Sequence, residues 1–184
     1  DIKKHDHIDI VFEDKSILRY CDPRRFGCFL WTDDPNNHFL LKNLGPEPLG
    51  NIFNGKYLFD VSRKRKTPVK NFIMNSKVVV GVGNIYANEA LFKAKIRPTR
   101  QAGKISLERY ETLSMEIVSI LRKSINKGGT TLRDFVGSNN KPGYFKNELM
   151  VYGRAGMTCR NCSSPLKEIR LSQRSSVYCS KCQA

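Results

Sequence analysis

Hydrophobic and polar positions change rhythm twice along the chain. Near the start, Ile8, Ile10 and Phe12 alternate with Asp9, Val11 and Glu13, a two-residue period that predicts a β-strand. Asp14-Lys15 can turn the chain, residues 16–21 then read as a second strand, and residues 26–31 as a third, after the polar turn Asp22-Pro23-Arg24-Arg25. Three strands with one apolar face need a partner layer. None is evident in the chain, so the expectation is an incomplete β layer. From about Gly50 to Gly137 the period becomes helical. Leu107, Tyr110, Leu113, Ile117, Ile120, Leu121 and Ile125 recur at spacings of three and four behind a Ser106 N-cap, and Gly128-Gly129 stops the helix. Another helix is expected over residues 84–95, after the turn Gly81-Val82-Gly83. Beyond Leu149 the chain offers four cysteines and little that could build a core.

Those cysteines change the picture. Cys159-x2-Cys162 and Cys179-x2-Cys182 stand sixteen residues apart, so two knuckles can each place two thiolates on one metal across a β-hairpin. This is the spacing of a four-cysteine zinc ribbon, with Zn–S bonds of about 2.3 Å. Four sulfur ligands close the coordination sphere, so the ion is structural rather than catalytic. Two disulfides in a secreted domain are the alternative, and no signal-peptide pattern supports it. Cys21 and Cys28 fit no ligand spacing and read as strand residues packing as small hydrophobes.

Charge then narrows the partner. The 184 residues carry 32 Lys and Arg against 17 Asp and Glu, a net charge of +15, with 40% hydrophobic residues. That field attracts polyanions, nucleic acid first and an anionic membrane surface second. No apolar run approaches the roughly 20 residues of a membrane span. Arg63, Lys64, Arg65, Lys66 and Lys70 cluster just ahead of Gly81-Val82-Gly83-Asn84, where glycines allow close approach and a helix N-terminus favours phosphate. In the turn at Asp22–Gly27, Phe26 between arginines reads either as a core residue of its strand or as an exposed wedge for a base stack. Residues 141–145, Lys-Pro-Gly-Tyr-Phe, read as a loop.

Taken in order, DPRRFG at 22–27, LGPEPL at 44–49, VVGVGNIYANEALF at 79–92, GGTTLRDF at 128–135, NKPGYF at 140–145 and VYGRAGMTC at 151–159, with the cysteine ribbon, closely resemble bacterial formamidopyrimidine-DNA glycosylase. The resemblance implies an α+β fold: residues 1–46 as the last part of an N-terminal β-sandwich, 47–147 as a helix–two-turn–helix DNA-binding domain with a lesion loop, and 148–184 as the zinc ribbon. It implies base-excision repair of 8-oxoguanine and formamidopyrimidines in damaged double-stranded DNA, followed by β,δ-elimination. The reacting carbon is reached by flipping the nucleotide out of the stack. The implied whole enzyme is a monomer in the bacterial cytoplasm, associated with the nucleoid through DNA. An endonuclease-eight-type glycosylase and a non-catalytic zinc-dependent DNA-binding module remain the alternatives.

Residue by residue, the resemblance makes Phe26 the wedge, Arg24 the contact to the orphaned cytosine, and His5, Arg65, Lys70 and Asn84 contacts to DNA. Arg174 on the ribbon becomes the phosphate clamp that assists δ-elimination, and the segment from Ser138 through Tyr144 to Phe145 the loop over the flipped base. Asn140 stands where the family usually has glycine, which narrows backbone freedom there. The family's opening proline nucleophile has no counterpart here, and Pro23 cannot replace it because its nitrogen is an amide. The chain therefore reads as a fragment, expected by itself to form no borohydride-trapped complex with an 8-oxoguanine duplex. Its uncovered strands are expected to be partly disordered or to self-associate.

Overall fold

The computed structural model describes residues 2–130 and 145–184. Helices and strands segregate along the chain, an α+β arrangement in two units, Asp1–Lys42 and Asn43–Ala184. The first unit is a hairpin of β1 (Asp6–Val11) and β2 (Ile17–Cys21), antiparallel with Ile8 opposite Tyr20 and Val11 opposite Ile17. Its turn is closed by Phe12 N–H to the Ser16 carbonyl at 2.9 Å and by the Asp14 carboxylate, which accepts from the Ser16 amide and hydroxyl. Arg19 and Asp9, opposite one another, form a two-pronged ion pair.

The expected third strand is corrected: residues 26–31 have no strand pairing among the described residues. An apolar run after a turn can extend, but a strand needs a neighbour's amides and carbonyls. Trp31 is 88% exposed, and Phe29 and Leu30 are also exposed. Cys21 and Cys28 are exposed too, against the expectation that they pack. A two-stranded sheet has too little area to cover them.

In the second unit, α1 (Gly55–Ser62) starts at Asn54, whose side chain accepts from the Tyr57 amide at 2.8 Å. It lies against α4 (Leu107–Asn126), and a Cβ on Gly55 would come within 2.4 Å of the Glu111 Cα, so only glycine permits that approach. Between them come the short α2 (Val69–Ile73) and α3 (Asn84–Lys93), joined by turns that bury Val78, Val79 and Val82. Ser106 caps α4 as expected, its hydroxyl accepting from the Arg109 amide. Gly128 and Gly129 end it with φ of 70° and 92°. The anticipated stripe is buried at Tyr110, Leu113, Ile117, Ile120 and Leu121, whereas Ile125 in the last turn is exposed.

α3 serves two cores. Ala87, Ala90 and Leu91 join the helical core, while Phe92 joins Val151, Cys159, Leu166, Val177 and Cys179 under the C-terminal hairpin. That hairpin pairs β3 (Lys167–Leu171) with β4 (Arg174–Tyr178). Ser172 and Gln173 make its two-residue turn with φ of 45° and 62°, the left-handed pair that matches strand twist.

Candidate metal centre and nucleic-acid surface

The four cysteines converge. Their sulfurs all lie within 4.8 Å of one another, with Cys159 to Cys182 at 3.9 Å and Cys162 to Cys179 at 3.4 Å. Tetrahedral Zn–S bonds of about 2.3 Å require S···S separations of roughly 3.8 Å, so the donor set fits zinc. Each knuckle is set by backbone bonds. The Cys159 amide donates to the Ser164 carbonyl, the Ser163 amide donates to the Cys159 carbonyl, and Ser163 takes a φ of 58°. Gln183, which sequence reasoning passed over, is wholly buried and holds the second knuckle. Its side-chain oxygen accepts from the Cys179 amide at 2.9 Å, and its nitrogen donates to the Ile96 carbonyl at 2.8 Å.

Without a cation, such packed thiols resist joint ionisation. Hydrogen bonds from the Ser164 backbone and side chain hold Cys162 down at about 6, while burial and the neighbouring sulfurs push Cys182 up to about 12. A divalent cation removes that conflict by stabilising all four thiolates. The zinc is structural, since sulfur fills every position.

Three side-chain contacts seat the hairpin on the helices. Asn88 of α3 accepts from the Val177 amide at 2.8 Å. Asn71 of α2 donates to the Ser172 hydroxyl at 2.7 Å. Lys70, one residue earlier, is wholly buried and donates to the Ser175 carbonyl and the Ser176 hydroxyl, both at 2.6 Å. This corrects the expectation of Lys70 on a DNA-facing surface: β4 supplies acceptors that draw the ammonium inward. Burial, and then the charge of Arg174, lower its pKa to about 8. Glu89 was also overlooked. It is buried, and its carboxylate accepts the amides of Met150, Val151 and Tyr152 at 2.8–2.9 Å, tying α3 to the start of the ribbon. An acid among Ala87, Ala90 and Leu91 was the available signal.

Three of the expected contacts, Arg174, Asn84 and Arg65, remain accessible on this unit. Arg174 is exposed at the first position of β4. Asn84 is half-buried at the first position of α3, whose Gly83 cap provides no side-chain hydrogen bond. A Cβ at Gly81 or Gly83 would meet nothing within 4 Å, so the approach to this amide cluster is open. The uncapped N-terminus can accept an anion. The basic run divides. Arg63 folds back onto the Phe59 and Ile105 carbonyls and stacks at 3.8 Å over the Phe59 ring, an internal role. Arg65 is exposed, with its Nε donating to the Val61 carbonyl, and Lys64 and Lys66 are exposed beside it.

The other unit holds the remaining described candidates. The Asp22 carboxylate accepts the amides of Arg24, Arg25 and Gly27 and the Tyr20 hydroxyl, holding its pKa below the usual carboxylate range, with the Gly27 bond the largest cause. A Cβ on Gly27 would fall 2.1 Å from the Tyr20 hydroxyl. So tethered, the turn leaves Phe26 81% exposed with the Arg24 guanidinium 4.7 Å from its ring centre. Phe26 is thus exposed rather than packed in a core. His5 is half-buried, its carbonyl accepting from the Asp22 amide. Ser138 and Tyr144, with residues 131–144 as a whole, lie outside the described residues.

Comparison with known proteins fits these features. Residues 44–136 match the formamidopyrimidine-DNA glycosylase H2TH domain family, and residues 156–184 match the zinc finger found in FPG and IleRS. The chain is 60% identical to formamidopyrimidine-DNA glycosylase of Marinobacter nauticus over 97% of its own length and 66% of that protein's. It therefore spans about two thirds of the length of the curated relatives it matches. Among solved structures, the MutM (Fpg) protein from Thermus thermophilus superposes with a TM-score of 0.89 at 33% identity, covering all of this chain and 70% of that one. Lactococcus lactis Fpg bound to DNA containing an abasic site gives 0.87 at 33% identity, covering all of this chain and 68% of that one.

Proposed function

The chain belongs to the formamidopyrimidine-DNA glycosylase family, and from that premise we propose that it forms the DNA-binding portion of a base-excision repair enzyme acting on oxidised purines. The whole protein excises 8-oxoguanine and formamidopyrimidines from duplex DNA and cleaves the abasic site by β,δ-elimination. The observation that carries the reading is the open, uncapped start of α3 at Asn84 in a unit that also presents Arg174 on a docked, zinc-held hairpin. Amides at a helix N-terminus and a guanidinium are complementary to phosphate oxygens.

Roles follow from chemistry. Asn84, Arg65 and Arg174 bind phosphates, and Arg174 assists the second elimination by holding the phosphate that leaves. Phe26, exposed and backed by Arg24, fills the gap left by a flipped nucleotide. Arg24 contacts the unpaired cytosine, and His5 a phosphate. Ser138 and Tyr144 belong to the loop over the flipped base. The protein acts as a monomer on the bacterial nucleoid, and no helix among the described residues is long and apolar enough to cross a membrane.

Fluorescence anisotropy against a duplex with a stable abasic-site analogue and against an undamaged duplex, at two salt concentrations, tests the reading. Tighter damaged-site binding that survives higher salt is expected. Equal affinities that fall together with salt would reduce the surface to phosphate attraction and defeat the proposal.

A further inference from the structure

Burying an ammonium is costly unless its protons are bonded, and an apolar side chain of the same length would fill the space without that cost. Lys70 nonetheless lies wholly buried, and its two bonds go to an uncharged carbonyl and a hydroxyl on β4. The charged group acting on it is Arg174, of like sign, one residue before Ser175. The neighbouring Asn71 holds Ser172 on the other side of the hairpin turn. Arg174 is therefore bracketed: α2 holds the Ser172 hydroxyl on one side and the Ser175 carbonyl and Ser176 hydroxyl on the other, leaving an exposed arginine between two anchored points. Like charge beside it discourages the guanidinium from folding back onto the unit.

We propose that Lys70 is a positioning residue for Arg174, fixing β4 and directing the arginine outward through the pair of bonds to Ser175 and Ser176, and that it makes no phosphate contact of its own. The inference rests on the reading of Arg174 as a phosphate contact and extends it to the residue that presents it. A lysine in direct contact with phosphate needs its ammonium at the surface. Here both observed bonds point into the protein.

The test uses the zinc-loaded full-length protein with Lys70→Met, Arg174→Ala, the double variant and the milder Ser176→Ala. Zinc content and thermal midpoint come first: Lys70→Met keeps its zinc and its midpoint does not fall at pH 7, because the buried charge goes with the bonds. Amide hydrogen exchange at residues 174–176 then rises in Lys70→Met and, less, in Ser176→Ala. In binding to the abasic-analogue duplex, Lys70→Met loses about tenfold in affinity, and adds nothing once Arg174 is alanine, as residues acting through one group do. Losses that multiply in the double variant, with the salt slope falling by about one for each substitution, would make Lys70 a direct phosphate ligand and overturn the proposal. Unchanged exchange at residues 174–176 would overturn it independently of DNA. An Arg174→Ala variant that binds like wild type would instead defeat the reading of Arg174, leaving the exchange measurement to judge Lys70.

Discussion

Among the described residues, the helical part of the second unit gathers 22 buried residues into one core, running from Phe53 to Leu149 through all four helices. The zinc hairpin beside it gathers six, two of them cysteines and one, Phe92, lent by α3. The helices are thus held by apolar area removed from water, worth roughly 25 cal/mol per Å2. The hairpin is too small for that and depends on its metal and on a few buried polar side chains. A metal-held hairpin docked on a rigid helical base can present Arg174 in a fixed place with little core of its own. The difference also explains where the polar residues sit: Lys70, Asn71, Asn88 and Glu89 all face the hairpin or its approach.

Removing the metal should break the comparison most sharply. Chelation, or Cys179→Ser, should unfold the hairpin while α1–α4 keep their helical circular dichroism, because structural zinc contributes on the order of 10 kcal/mol to such modules. Binding to the abasic-analogue duplex should fall with it, and loss of helical signal in parallel would show a single cooperative unit instead. Next in size, Leu113→Ala should destabilise the helical core by about 3 kcal/mol in urea denaturation and leave the zinc stoichiometry at one, since Leu113 is wholly buried there. Glu89→Ala sits on the seam. It removes the acceptor for three amides and should cost about 2 kcal/mol, with hydrogen exchange rising at residues 150–152 before it rises in α4.

The smallest effect is pH-dependent. Lys70 titrates at about 8 in the folded protein against 10.5 in free lysine, because burial and then Arg174 disfavour its charge. Below pH 8 both folded and unfolded chains hold the proton and the full cost of burying the ammonium is present. Between pH 8 and 10.5 the folded chain loses the proton first, so this group's contribution to stability rises with pH, and it levels off above 10.5. The gain should be on the order of 3 kcal/mol. Urea denaturation of wild type and Lys70→Met at pH 7.5 and 10 checks it: the difference between them should shrink as pH rises.

Local pattern was enough for a good part of this molecule. The Ser106 cap, the double-glycine stop after α4, the apolar stripe from Tyr110 to Leu121 and the two cysteine knuckles all follow from residues close together in sequence. Capping, left-handed stops and metal spacing act over a few residues, which is why composition and period expose them. The resemblance to the glycosylase family rested on contiguous motifs for the same reason. What only tertiary structure decided are the matters of partnership at long separation. Residues 26–31 form an apolar run that reads as a strand yet have no strand partner among the described residues. Phe26 could face inward or outward, and the Asp22-tethered turn exposes it. Lys70 belonged to a basic run that looked solvated, but acceptors more than a hundred positions away on β4 bury it. A charge run fixes how much positive charge a segment carries; whether each cation meets solvent, phosphate or a carbonyl depends on what the rest of the chain folds against it.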